Sequence, residues 1–291
     1  MIYLFASVLC STILIVILKL FPKFQVVSLL GIVVNYLTCV VFGMCLDRVP
    51  VDSLFLLPQF SWFGIAVGLG FLFISIFNLS AISSQSLGIG ITSMSMKLGL
   101  IVPIMVGIFF YKEPYTWVTL MGIVLALIAV VLSSIQQGSQ KISHIGLMVL
   151  PLVVFVGSGF CDVGVQVAYI SYLNPSDNAL FSISLFLIAF VIGLVVYLVL
   201  LLMKKTRYTW QSLIAGIILG IPNYLSIYFI ILALGKSGYS SSVIMPVANI
   251  SVVALSSLVG LFIFKERLSK INTAGIVLAI IAIILLMIKS A

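Results

Sequence analysis

Residues 122–132 read GIVLALIAVVL, and residues 275–285, 153 positions further along the chain, read GIVLAIIAIIL. Upstream of each copy, at the same separation, Lys112 and Lys265 are each followed by a glutamate. The repeated unit is therefore a charged hairpin followed by a strongly apolar helix. We interpret this match as an internal duplication, and it decides how the rest of the chain is read.

The composition indicates an integral membrane protein. The chain has 291 residues, of which 63% are hydrophobic and 7% charged, and its mean hydropathy is +1.40. So few charges cannot cover the surface of a soluble protein of this length. A helix that crosses the hydrocarbon core of a bilayer needs about 20 apolar residues. The sequence offers about ten such runs, so we expect the lipid bilayer to surround most of the chain.

The apolar runs divide into two sets of five. The predicted spans are 2–20, 25–46, 59–82, 86–110 and 117–135, then 144–169, 178–203, 211–234, 239–264 and 271–288. A polar stretch at 136–141 separates the sets, giving repeats at 1–138 and 139–291. Because five is odd, the second set enters the membrane in the opposite sense. The sequence predicts an all-α fold of ten transmembrane helices, arranged as two inverted five-helix repeats around a central cavity.

A pair of glycines in each half extends the match. Gly64 and Gly68 in the third span lie 152 positions before Gly216 and Gly220 in the eighth. Small residues four apart allow two helix backbones to approach closely inside lipid. We expect both pairs to pack against neighbouring helices.

The distribution of basic residues predicts an orientation. Loops one, three, five, seven and nine carry nine Lys and Arg, whereas the other side, which includes both termini, carries four. The positive-inside rule then places both termini outside the cytoplasm. We interpret the net charge of +8 as a signal for membrane orientation, since no basic stripe with aromatic partners indicates nucleic-acid binding.

Residues 1–20 lack a basic leader and a cleavage site, so we expect a retained helix.

Two charged residues fall well inside apolar spans, Lys97 in span four and Asp162 in span six. A charge at the bilayer centre costs about 2.5 to 3.5 kcal/mol on insertion scales, so each should face a cavity or a partner. Helical spacing puts further polar residues on the same faces. Ser158, Gln166 and Tyr169 share a helix face with Asp162, and Ser93 shares one with Lys97. Spans eight and nine contribute Asn223 and Asn249. We predict that these residues bind a substrate.

The same residues allow structural interpretations. Lys97 and Asp162 could form a buried ion pair that only joins the halves, although such a pair often stabilises little. Serine and asparagine in membrane helices also commonly hydrogen-bond to a neighbouring helix. In the functional interpretation Lys97 binds a carboxylate or phosphate, while Asp162 binds an amine or carries a coupling proton.

No pattern for enzymatic chemistry, a metal or a cofactor is present. His144 is the single histidine, which excludes a histidine metal cluster and a Ser-His-Asp arrangement. The four cysteines have no CxxC spacing. There is no phosphate-binding GxxxxGK[ST] motif, so this chain is not expected to hydrolyse ATP.

The chain resembles the drug/metabolite transporter superfamily, in its ten-helix EamA-like family. The resemblance is carried by the duplicated five-span unit, by the predicted tight hairpins at 82–87 and 233–239, and by the YKEP and FKER junctions at 111–114 and 264–267. It implies a cavity lined by spans one, three, four, six, eight and nine, with alternating access by rocking helices. Many relatives are drawn with cytoplasmic termini, whereas the charge count predicts the reverse.

The sequence therefore predicts a secondary active transporter in the inner membrane of a bacterium. Its substrate is expected to be a small polar metabolite, amino-acid-like or otherwise zwitterionic or anionic, with protons as the coupling ion and a monomer or homodimer as the unit. One alternative is efflux of lipophilic cationic drugs, using a carboxylate and aromatics such as Tyr169, Tyr224 and Tyr228. An alternative of another class is a membrane scaffold or channel subunit that transports nothing.

Overall fold

A computed structural model describes residues 1–87, 95–96, 98–99, 101–112, 116–134, 149–239, 241–262 and 270–288. Within these ranges the chain is helical and contains no strand. The helices are α1 (Ile2–Leu20), α2 (Ser28–Asp47), α3 (Phe63–Leu87), α4 (Ile101–Phe109), α5 (Trp117–Ser134), α6 (Val149–Ser171), α7 (Asn178–Leu202), α8 (Trp210–Lys236), α9 (Ser241–Phe262) and α10 (Lys270–Ile288). Short 3₁₀ helices cover Val51–Gln59 and Pro175–Asp177.

Six of the described helices, α1, α2, α3, α6, α7 and α8, are long and apolar enough to cross a membrane. Between 22% and 56% of the residues in their most apolar windows are buried inside the protein. The remaining apolar side chains face outward, which is expected where lipid rather than water surrounds a helix. These helices indicate a multi-pass membrane protein.

Contacts between connecting segments show which of them share an end of the helix bundle. At one end, here called the Tyr3 end, the contacts join Lys236 Nζ to the Tyr3 ring at 5.6 Å from its centroid, Trp62 Nε1 to Asp177 at 3.4 Å, Tyr228 to Asp47 at 3.2 Å and Tyr111 to Ser171 at 3.1 Å. At the opposite end, the Val27 N–H donates to Ser212 Oγ at 2.8 Å. The first residues and the segments after α2, α4, α6 and α8 therefore lie together at the Tyr3 end.

The two halves of the chain make equivalent contacts at positions 150 apart. A Cβ added at Gly43 would meet the side chains of Tyr224 and Ile183, and one added at Gly193 would meet those of Ile74 and Val33. Each residue of the first set lies 150 positions from its counterpart in the second. Each of these contacts between the halves thus has a counterpart in which the halves exchange roles.

The glycines of α3 and α8 follow the same offset. Gly220 lies against Thr38 and the backbone oxygen of Asn35, while Gly70 lies against Ile188 and the backbone oxygen of Leu185. The rings of Tyr36 and Phe186, also 150 positions apart, stack on each other with centroids 5.9 Å apart. This pair lies where α2 and α7 face each other.

The prediction for the glycine pair of span three is wrong. A Cβ added at Gly64 or Gly68 would meet no atom within 4 Å, because both residues are on the exposed face of α3. The pair in span eight does pack, since a Cβ on Gly216 would lie 2.6 Å from the backbone oxygen of Gly31. At an offset of 150, the counterparts of Gly216 and Gly220 are Ala66 and Gly70, not the glycines 152 positions away.

Helix ends differ from prediction at one hairpin and agree at the other. The predicted break at 82–87 is absent, because α3 continues to Leu87. Near the end of α8 the chain turns after Lys236, and Gly238 adopts a φ of +77°, a left-handed conformation that glycine tolerates best. The predicted boundary between residues 138 and 139 lies outside the described residues.

Helices of the two halves interleave. In the described part of the chain, α2 packs against α7 and α8, α3 against α6 and α7, α1 against α8 and α9, and α5 against α10. Most of these partners come from the other half. A cavity between the halves is therefore enclosed by helices that are distant in sequence.

Candidate functional site

A cavity of about 120 Å³ lies between α1, α3, α6, α8 and α9. We call it the central cavity. It is lined by Ser7, Ser11, Phe73, Asp162, Val165, Ser226, Ile227, Ile230, Met245, Ala248, Asn249 and Val252. Its lining combines polar groups from four helices with apolar side chains, which is typical of a site that orients a small ligand with few polar contacts.

Asp162 and Asn249 form the polar centre of this cavity. Asn249 Nδ2 donates a hydrogen bond to Asp162 Oδ2 at 3.0 Å. A hydrogen bond to an ionised carboxylate is roughly twice as strong as one between neutral groups. The sequence predicted both residues as ligands on separate helices, and the structure brings them together from α6 and α9.

The serines beside this pair are joined to backbone groups. Ser7 Oγ donates to the backbone oxygen of Ser226 at 2.8 Å, and Ser226 Oγ donates to that of Asn223 at 2.8 Å. The first bond joins α1 to α8 at the cavity wall, and the second lies within α8. The hydroxyl oxygens can still accept hydrogen bonds, because each has two lone pairs.

Three other predicted residues of α6 are not among the residues lining the central cavity. Ser158 Oγ donates to the backbone oxygens of Met96 at 3.1 Å and Phe155 at 3.0 Å, which is a helix-packing arrangement. Gln166 is fully buried. The Tyr169 hydroxyl packs against Gly235 of α8.

Asn223 also lies outside the lining of the central cavity. Its Nδ2 donates to Asn35 Oδ1 at 3.1 Å, which joins α8 to α2. Both side chains are buried. Because neighbouring contacts place Gly220 against the Asn35 backbone, this bond lies in the tightly packed α2–α8 interface.

Lys97 and Ser93 fall outside the described residues. Their roles as substrate ligands remain predictions from the sequence.

A second polar cluster lies at the Tyr3 end; the sequence indicated its tyrosines only as aromatics for drug efflux, and its carboxylate, Asp47, was missed. Tyr224 donates to Asp47 Oδ2 at 3.0 Å and Tyr228 donates to Asp47 Oδ1 at 3.2 Å. The two rings, four residues apart on α8, stack with centroids 5.8 Å apart. Two hydroxyls on one face of a membrane helix need an acceptor, and this spacing could have directed attention to the carboxylate at the end of α2.

This cluster borders a larger cavity of about 410 Å³, which we call the vestibule. It is lined by Asp47, Arg48, Val49, Pro50, Ser53, Pro175, Ser176, Asn178, Ala179, Leu180, Tyr228 and Leu232. No group of His, Cys, Asp and Glu side chains that could hold a metal ion occurs among the described residues.

Comparison with known proteins identifies the fold but no activity. No protein-family model matches the sequence. An uncharacterized protein of Haemophilus influenzae is 29% identical over 282 residues, which cover 95% of this chain and 94% of that relative. A protein of known crystal structure is similar over 99% of this chain and 96% of its own, with a TM-score of 0.77 at 11% sequence identity. The overall fold is therefore shared with a solved protein, at an identity too low to carry function.

Proposed function

We propose that this protein is a secondary active transporter of small polar metabolites, of the drug/metabolite transporter type. The observation that carries the proposal is the hydrogen-bonded pair Asp162–Asn249 in a cavity enclosed by membrane helices from both halves. A carboxylate inside apolar helices is costly and usually marks a substrate or ion pathway. Substrate sites of secondary transporters lie near the midplane between repeats.

The matching contacts at an offset of 150 support a fold of two inverted five-helix repeats. The Val27–Ser212 contact joins two segments at one end of the bundle, and its counterpart Asp177–Trp62 joins two at the other. Equivalent contacts at opposite ends are expected when one repeat is inverted relative to the other. We therefore propose ten membrane spans, of which the described residues supply six by length and composition.

The size of the central cavity favours a small solute over a lipophilic drug. Its volume is about 120 Å³, whereas pockets for drug-sized ligands occupy about 300 to 1,000 Å³. For this conformation we propose substrates no larger than a small amino acid. Asp162 would accept the substrate ammonium group or carry the coupling proton, and Lys97 would supply the cation for a carboxylate.

The transport function is tested by uptake into liposomes that contain the purified protein. The wild type, Asp162→Asn and the matched control Asp52→Asn are compared under a proton gradient with a panel of radiolabelled amino acids and related zwitterions. Asp52 is exposed and outside both cavities. We expect Asp52→Asn to transport like the wild type. Asp162→Asn should lose about 10- to 100-fold in uptake at low substrate, the value of a hydrogen bond to a charged group.

Two outcomes would contradict the proposal. Wild-type uptake by a folded Asp162→Asn protein would remove Asp162 from the transport site. A wild type that moves no solute in the panel would favour the scaffold or channel-subunit interpretation. Lys97→Ala, assayed in the same way, tests the anion-binding role independently.

A further inference from the structure

The vestibule at the Tyr3 end contains polar groups that the proposed transport site does not use. Asp47 accepts one tyrosine hydrogen bond on each carboxylate oxygen. An ionised carboxylate can accept about four hydrogen bonds, so each oxygen keeps capacity for another donor. Tyr224 and Tyr228 hold this carboxylate in a fixed orientation at the cavity wall.

Asn178, which also lines the vestibule, has an acceptor left unpaired within the described part of the chain. It is the first residue of α7 and is nine-tenths buried. Its Oδ1 has no hydrogen-bond partner among the described residues. A buried acceptor left unpaired costs about 1 to 3 kcal/mol, so a donor is expected at this position.

The charges around the vestibule specify the kind of donor. Among the described residues that line the vestibule, Asp47 is the only acidic one and Arg48, which is exposed, is the only basic one. A carboxylate and an amide oxygen together fit a cationic donor with several N–H groups. A volume of about 410 Å³ is far larger than a single metal ion and lies in the range of small-molecule sites.

The vestibule is separate from the central cavity, because α8 stands between them. Ser226, Ile227 and Ile230 line the central cavity, whereas Tyr228 and Leu232 line the vestibule. At about 100° per residue these two sets lie on opposite faces of the helix. A ligand in the vestibule therefore does not occupy the transport site.

We propose that the vestibule is a second ligand site that binds an organic ammonium group through Asp47 and Asn178. Arg48, which also lines the vestibule, would additionally donate hydrogen bonds to the carboxylate of an amino acid. The proposal does not depend on the transport function, since it concerns a different cavity.

The test measures ligand binding to the purified full chain by thermal shift, using ethylamine hydrochloride, leucine and N-acetylleucine as probes. Sodium chloride at equal ionic strength is the reference. We expect ethylamine and leucine to stabilise the wild type and N-acetylleucine, which has no ammonium group, to have no effect. Because the proposed transport site also binds ammonium groups, Asp47→Asn and the matched control Asp52→Asn are compared in an Asp162→Asn background. There Asp47→Asn should weaken ethylamine binding by about 10- to 100-fold, and Asp52→Asn should not change it.

The remaining arms keep the two sites distinguishable. Asp162→Asn should lose transport and keep ethylamine binding. If this variant loses ethylamine binding, the ligand lies in the central cavity and the proposal fails. If Asp47→Asn does not fold, Asn178→Ser replaces it, with binding about 3- to 10-fold weaker expected. The proposal is also overturned if sodium chloride alone produces the full shift, or if a folded Asp47→Asn protein in the Asp162→Asn background binds ethylamine as tightly as Asp162→Asn alone.

Discussion

The same substitution at two glycines of similar sequence context should have opposite effects on stability. Gly68 of α3 and Gly220 of α8 each follow another glycine by four positions. A Cβ at Gly220 would lie 2.7 Å from Thr38 Cγ2 and 2.8 Å from the Asn35 backbone oxygen. A Cβ at Gly68 would meet nothing within 4 Å. Only the substitution at Gly220 forces α2 and α8 apart.

The size of the effect follows from two opposing terms. Adding a methyl group to a packed interface costs about 1 to 3 kcal/mol, and the oxygen of Asn35 belongs to the backbone and cannot rotate away. Replacing glycine by alanine inside a helix gains up to about 1 kcal/mol. Gly220→Ala is therefore destabilising by about 1 to 2 kcal/mol, while Gly68→Ala is neutral or stabilising.

The assay is thermal unfolding of both variants in the same detergent, followed by circular dichroism. A difference of about 1 to 3 kcal/mol between them corresponds to a Tm for Gly220→Ala roughly 3 to 10 °C below that for Gly68→Ala. Equal Tm values, or a lower value for Gly68→Ala, would refute the offset of 150 on which the equivalence of the halves is based.

Two further predictions concern topology and a single hydrogen bond. The charge bias predicts that the Tyr3 end lies outside the cytoplasm. In a cysteine-free background, Asp52→Cys should therefore react with a membrane-impermeant maleimide in intact bacterial cells, and Lys205→Cys should react only after the membrane is permeabilised. The opposite labelling would place the termini in the cytoplasm. Ser212→Ala removes both the acceptor of the Val27 N–H and the hydroxyl bond to Thr209, whereas Thr209→Ala removes only the latter. Ser212→Ala should therefore be less stable than Thr209→Ala by about 1 to 2 kcal/mol, measured as the difference between their Tm values; equal Tm values would contradict this role.

Helix positions could be predicted from the sequence because length and apolarity decide them. The predicted span 2–20 coincides with α1, and the span 178–203 ends one residue beyond α7. The break predicted at 82–87 was wrong because a polar stretch without glycine or proline does not by itself end a helix. After α8, which ends at Lys236, Gly238 adopts a left-handed conformation at the turn.

Helix faces were harder to predict than helix positions. A helix that is apolar on all sides gives no indication of which face meets protein and which meets lipid, so Gly68 was assigned to an interface that Gly70 occupies. Asp162 and Asn249 were identified because polar atoms inside apolar spans are costly. Asp47 was missed because it lies at the end of α2, where a carboxylate is ordinarily solvated.

The interleaving of the two halves has a consequence for biosynthesis. The described part of α2 packs against α7 and α8, helices that are made much later. At about 5 to 20 residues per second, α8 is completed roughly 10 to 40 s after α2. During that interval α2 is inserted without its final neighbours. The nascent protein must therefore persist in the membrane as separate helices until the C-terminal half arrives, and a translocon-associated chaperone that shields the α2 surface during this period should increase its yield.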